Sequence, residues 1–220
     1  ALSMVDAGTS FHQAVFLKNL TPQHVWKKIM ENWIRPFGVP EKIVADQGGE
    51  FEGIFNEKCD QYVIDTKVSG AAAPWQNGFC ERHGGVLGGL FTTMVKQFSV
   101  VTKNVMKICL ACCCQAKNAT MTRNGTSPEQ AVFGTALRWT ESMNRDDDAD
   151  ASLATLGAHG EAWLATQIRT AARQALIGRD AQDKLRRAIL RRAPGRTTPP
   201  PPRTTEQALP PKHHPRLRRK

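Results

Sequence analysis

Short apolar runs alternate with longer helix-like stretches over residues 1–140, and this alternation constrains the fold more than any other feature of the sequence. Two β-like runs near the N-terminus are separated by a turn and predict a hairpin. A helix, a strand, a second helix and another strand follow, and two further helices complete the region. This order predicts an α/β fold with a mixed sheet flanked by helices.

Residues that favour turns and helix caps set the boundaries of these elements. Thr21 followed by Pro22 is typical of a helix start, because threonine caps a helix and proline suits its first turn. The apolar run Lys42–Ala45 predicts a short strand of the buried parallel kind. Residues 69–77 are predicted to form a loop, with Asn77 capping the helix that follows.

Positive charge is concentrated towards the C-terminal end. The 220 residues carry a formal net charge of +10, whereas residues 184–220 hold 12 basic residues and one acidic residue, a net charge of +11. Composition predicts a core over 1–140, a helical extension over 141–193 that opens with an acidic joint, and a disordered Pro/Arg-rich tail over 194–220. Such a tail is either a solvated chain or an arm that binds nucleic-acid phosphates.

Cysteine placement and hydropathy exclude several classes of protein. Three of the six cysteines are consecutive, which suits no disulfide framework, and no second pair completes a zinc site around Cys109 and Cys112. The surrounding sequence predicts a buried helical face. No run of about 18 apolar residues occurs, so no membrane-spanning helix and no membrane partner are expected. The first ten residues lack the basic residues of a signal peptide.

Two carboxylates are candidates for a functional site. Asp46 directly follows the predicted strand Lys42–Ala45, at the end of a sheet where sites usually form, and Gly48 beside it permits close backbone approach. Glu81 lies 35 positions later, at the start of a predicted helix. Each also has a purely structural explanation, since aspartate is common in turns and a helix dipole stabilises an early glutamate.

Several segments together resemble one family. The stretch IVADQGGEF, the loop APWQNG and the stretch FCERHGG resemble, in this order, the catalytic core of retrotransposon and retroviral integrases, nearest the gypsy-like kind. Residues 124–134 resemble the segment that follows that core. The resemblance covers roughly residues 1–140 and implies an RNase H-like fold. It makes Asp46 and Glu81 the second and third members of the Asp-Asp-Glu triad.

The resemblance also implies a chemistry and a partner. The family transfers DNA strands by phosphoryl transfer that depends on Mg²⁺ or Mn²⁺, so Asp46 and Glu81 are expected to bind metal and to face each other across one cleft. DNA is the implied partner, the nucleus the implied location, and a homo-oligomer is compatible with this interpretation.

The first aspartate of the triad is not identified. Asp6, in its Ala-Gly-Thr-Ser setting, is predicted to be a turn residue rather than a metal ligand. We therefore expect that the family's first strand is missing and that the chain is a degenerate copy, inactive as it stands. The alternatives are a non-catalytic nucleic-acid-binding protein that uses the basic tail, and a fragment without function.

Overall fold

The computed structural model describes most of the first 136 residues and one long helix beyond them. The described residues are 1–46, 48–68, 74–120, 125–136 and 160–191. The predicted acidic joint and the predicted disordered tail lie outside them. The chain divides into two compact units, Ala1–Gln182 and Asp183–Lys220.

Four short strands form two pairs. They are β1 (Leu2–Val5), β2 (His12–Val15), β3 (Lys42–Ala45) and β4 (Asp65–Val68). The strands β1 and β2 form the predicted antiparallel hairpin, with Val5 opposite His12. The strands β3 and β4 are parallel, with Lys42 opposite Asp65. Within the described residues, each pair is a two-stranded sheet.

Helices make up most of the rest. They are α1 (Pro22–Ile29), α2 (Arg35–Phe37), α3 (Ile54–Gln61), α4 (Pro74–Gln97), α5 (Lys103–Thr120), α6 (Pro128–Phe133) and α7 (Gly160–Arg191). A π-helical turn, Met30–Ile34, joins α1 to α2, and a 3₁₀ turn covers Gly49–Phe51. Gly38 ends this first helical stretch at a positive φ of 92°, a conformation that glycine adopts without strain.

Two apolar clusters cover the two faces of the hairpin. One joins α4, α5 and α7 and includes Ala14 of β2, while the other joins α1 and α3 and includes Leu2 of β1. The predicted buried cysteine face is present, because Cys109 and Cys113 are fully buried in the first cluster. The fold is therefore mixed α/β, with small sheets flanked by helices, as the sequence predicts.

Two local predictions need correction. The strand β3 is not buried on both faces: Ile43 packs against the second cluster, but Val44 is 44% exposed, because within the described residues only β4 pairs with this strand. The helix α4 begins at Pro74, so residues 74–77 are helical and Asn77 does not cap the helix. Proline at the first helical position has the φ that a helix requires and lacks only a donor that would stay unbonded there.

The side-chain amide of Asn118 closes one edge of the hairpin. Its Oδ1 accepts a hydrogen bond from the backbone N–H of His12 at 2.9 Å, and its Nδ2 donates to the His12 carbonyl at 2.9 Å. Both backbone groups point away from β1, so Asn118 satisfies donors and acceptors that an edge strand would otherwise leave unpaired. This pair of bonds fixes α5 against β2.

The short helix α6 carries a complete capping box. The Ser127 hydroxyl accepts a hydrogen bond from the Gln130 backbone N–H at 3.3 Å, and the Gln130 side chain accepts from the Ser127 backbone N–H at 3.0 Å. Pro128 occupies the first turn, and Gly134 ends the helix in the left-handed region at φ 70°. The integrase-like segment at 124–134 therefore contains a start signal and a stop signal for one helix.

Replacement of the cap should measurably destabilise the fold. We expect Ser127→Ala to lower the free energy of unfolding by about 1 kcal/mol, since a buried backbone donor loses its acceptor. Denaturant unfolding measures this loss. Ser127→Thr keeps the hydroxyl and should lose less than half as much; an equal loss for both variants would show that the cap is not the cause.

Candidate functional site

Asp46 lies at the carboxyl end of β3, where its side chain is exposed to solvent. The parallel pairing of β3 with β4 brings the carboxyl ends of both strands to the same edge of the sheet. Gly48 lies under the Glu50 side chain, and a Cβ atom there would fall 2.6 Å from Cδ of Glu50. The flexible Glu50 side chain could move to make room for a larger residue, so the structure does not require glycine at this position.

Glu81 is exposed on α4. Because α4 begins at Pro74, Glu81 lies about two turns inside the helix rather than in its first turn. The stabilising effect of the helix dipole is confined to the first turn, so it does not account for a glutamate here. The helix-dipole explanation of Glu81 is therefore wrong, and Glu81 is an exposed carboxylate in the interior of the helix.

The charge of Asp46 acts on the same turn of α4. Burial raises the pKa of the Cys80 thiol, and the nearby Asp46 carboxylate raises it further. Cys80 immediately precedes Glu81, so Asp46 lies close to the turn that carries Glu81. That the carboxyl groups of Asp46 and Glu81 face each other across one cleft remains a prediction.

Asp6 is held in the turn between β1 and β2, as the sequence predicts. Its Oδ2 atom accepts hydrogen bonds from the backbone N–H and from the hydroxyl of Thr9, both at 2.6 Å. The Ser10 backbone N–H also donates to the Asp6 carbonyl at 2.9 Å. These bonds are typical of an aspartate in a turn.

The carboxylates of Asp46 and Glu81 are of the ligand type that a hard cation prefers. Carboxylate oxygens are the ligands that Mg²⁺ prefers, and Mg²⁺ is often held by only one or two carboxylates together with water. Among the residues that the structure describes, no three His, Cys, Asp or Glu side chains form a group that could hold a metal ion. Asp46 and Glu81 are therefore candidate ligands by residue type, and no group with a third ligand is present among the described residues.

A buried polar cluster between the hairpin, α4 and α5 was not anticipated from the sequence. His12 and Lys117 are fully buried, and His83 is 9% exposed. The Ser3 hydroxyl lies 2.7 Å from Nε2 of His12, and Nζ of Lys117 lies 2.8 Å from Nδ1 of His83. Helical spacing was the available signal, because His83 precedes Leu87 on the buried face of α4.

Burial shifts the titration of this cluster strongly. Desolvation, together with the nearby charges of Lys117 and His83, lowers the pKa of His12 to about 3. Desolvation also lowers the pKa of Lys117 to about 8, while Cys114 opposes that shift. Both side chains therefore favour their neutral forms more than they would in water.

Structural comparison identifies known proteins with this fold. The chain is similar to a chain of the simian T-cell lymphotropic virus intasome in complex with PP2A regulatory subunit B56 gamma, with a TM-score of 0.54 and 18% identity over 62% of this chain. The match spans about half of that protein, 49% of its length. It is also similar to the HTLV-2 integrase catalytic core domain in complex with magnesium, with a TM-score of 0.49 and 19% identity over 58% of this chain and 80% of that one.

Sequence comparison adds no relative, since no protein-family model matches the chain and no curated protein does so either. The intasome match, at 18% identity, concerns the fold alone. The chain therefore has a retroviral integrase catalytic-core-like fold.

Proposed function

We propose that this chain is an integrase-type catalytic core of a retrotransposon, descended from enzymes that join DNA strands and inactive in its present form. The observation that carries the proposal is the integrase catalytic-core-like fold, in which Asp46 directly follows β3 and Glu81 lies on α4. The fold and the integrase-like motifs supply the context, and both motif carboxylates remain exposed for a ligand.

Asp46 and Glu81 would together hold one Mg²⁺ or Mn²⁺ ion. When bound, the ion would supply positive charge for a DNA phosphate. The chain's own part is to present two hard oxygen ligands from two elements, a strand end and a helix. The hairpin does not add a third, because Thr9 engages Asp6. This shortage of ligands is why we expect no catalysis from the isolated chain.

DNA is the proposed partner and the nucleus the proposed location. A sequence pI near 9.6 favours a polyanion. Self-association is part of the same proposal, because integration joins two DNA ends. The described residues contain no helix with the length and apolar character needed to cross a membrane.

Metal binding tests the site directly. We expect Asp46→Asn and Glu81→Gln each to weaken Mn²⁺ binding at least about tenfold. Replacing a residue that merely orients a metal ligand already lowers metal affinity by about that factor, and a direct ligand should matter at least as much. Calorimetric titration measures the affinity. Asp65→Asn is a matched control, since Asp65 lies at the opposite end of the same sheet and pairs with Lys42 at the surface. Unchanged affinity in both site variants would contradict the proposal.

Catalysis is tested with oligonucleotides and Mn²⁺. We expect neither 3′-processing nor strand transfer by the chain. Turnover that Asp46→Asn abolishes would show that a third ligand exists, and its loss in Asp6→Asn as well would make Asp6 that ligand.

A second candidate is a non-catalytic nucleic-acid-binding protein. It is favoured by the net charge of +11 on residues 184–220, which exceeds the net charge of the whole chain. Salt-dependent binding, considered in the Discussion, separates it from a fragment without function.

A further inference from the structure

Lys117 is a fully buried lysine whose hydrogen-bond partner is an imidazole. It lies on α5 with 0% exposure, and its hydrogen bond is made to Nδ1 of His83 on α4. No Asp or Glu lies within salt-bridge distance of Lys117 among the described residues. A buried ammonium without a paired carboxylate is costly, so a fold normally replaces or neutralises it.

Lys117 sits where three elements meet. His83 connects it to α4, and the next residue, Asn118, binds the backbone of His12 on β2. The charge of Lys117 also acts on His12, whose Nδ1 atom is buried without a hydrogen-bond partner. A change in the charge of Lys117 therefore alters its interactions with His83 on α4 and with His12 on β2.

We propose that Lys117 is a proton-linked switch that controls how firmly α5 holds α4 and the hairpin. The packed arrangement costs more free energy while the buried ammonium is charged, and it is favoured when Lys117 loses its proton. The neutral amine still donates to His83, and it no longer carries an unpaired charge into the apolar cluster around Cys113.

The groups around Lys117 fix the direction of the effect. His83 faces it from α4, His12 from β2 and Cys114 from its own helix. On α6, which packs on α5, Glu129 is buried and has its own interaction. On α7, Arg169 contacts Gln115 and influences Cys112, on a different face of α5.

The sign of the pH dependence follows from linkage. The folded chain holds the Lys117 proton with a pKa of about 8, against 10.5 for an ordinary lysine. Between these values the unfolded state binds more protons, so stability rises with pH. The gain in the folding equilibrium constant approaches about 300-fold across this range. Below pH 8 both states are charged, and the cost of burial is constant.

The test compares the full chain with Lys117→Met between pH 7.5 and 10.5. We expect the stability of the natural chain to rise relative to the variant by up to about 300-fold in the folding constant. Buried thiols such as Cys59, whose pKa burial raises to about 11, act in the opposite sense but are present in both proteins. Cys114, which interacts with Lys117, is the exception. Lys107→Met, which removes an exposed lysine of the same helix, should leave the pH dependence unchanged.

Two measurements on the natural chain keep the test decisive if Lys117→Met does not fold. Side-chain NMR of Lys117 should show a midpoint near pH 8. Hydrogen-exchange protection of the His12 amide, corrected for the intrinsic rate, should increase from pH 7.5 to 9. A midpoint near 10.5, or protection that does not change over this range, would overturn the proposal.

Discussion

Acidification from about pH 6.5 to pH 3 should destabilise the folded chain, with the largest single contribution from His12. The pKa of this buried imidazole falls from 6.5 to about 3 on folding. Between these pH values His12 is protonated in the unfolded chain but neutral in the folded chain. The folding stability therefore declines as the pH falls. The loss approaches about 3,000-fold in the folding constant, or about 5 kcal/mol.

Chemical denaturation of the natural chain and His12→Gln over pH 3–7 measures this contribution. Carboxylates also titrate here, so the relevant quantity is the difference between the two proteins. His24→Gln, which removes a half-buried histidine of α1, should retain the pH dependence of the natural chain. A His12 ring that titrates near pH 6.5 in the folded protein would refute the expectation.

Binding of duplex DNA should weaken steeply with salt if the tail contacts phosphates. The 12 basic residues of 184–220 set an upper limit on the contacts, and about half is realistic. Each neutralised phosphate lowers log affinity by roughly 0.9 per unit of log salt, so about six contacts reduce affinity about a thousandfold between roughly 50 and 200 mM salt. Little sequence preference is expected, because phosphate contacts carry no base information.

A chain that ends at Ala193 provides the comparison. It loses all the basic residues of the predicted tail, seven of the 12. We expect weaker binding and a shallower salt slope than in the full chain. Equal affinity and equal salt slope for the two chains would exclude a binding role for the tail. The DNA-binding surface would then lie on the remaining residues.

Local signals predicted the elements well because they are short-range. Thr21 and Pro22 mark the start of α1, although the Thr21 hydroxyl donates to Asn19 Oδ1 and makes no capping bond. The apolar spacing around Cys109 marks the buried face of α5. Exposure of Val44 and helicity at Pro74 were missed because they depend on neighbours that local patterns do not specify. A strand is buried only as far as other elements cover it.

The candidate site could be predicted only in part for the same reason. Motif order made Asp46 and Glu81 the candidates, whereas the interaction of Asp46 with Cys80 depends on tertiary packing. The pairing of His83 with Lys117 joins positions 34 residues apart, and both look like ordinary surface residues when read alone. Their helical phase, aligned with buried neighbours, was the one clue in the sequence.

The amide of Asn118 has a consequence for aggregation. At His12 it takes the place of a partner strand, so this edge of β2 is closed to pairing with another polypeptide. Within the described residues, the outer edges of β1, β3 and β4 have no strand neighbour. Cross-chain β-pairing should therefore start at those three edges, and Asn118→Ala would open a fourth one at β2.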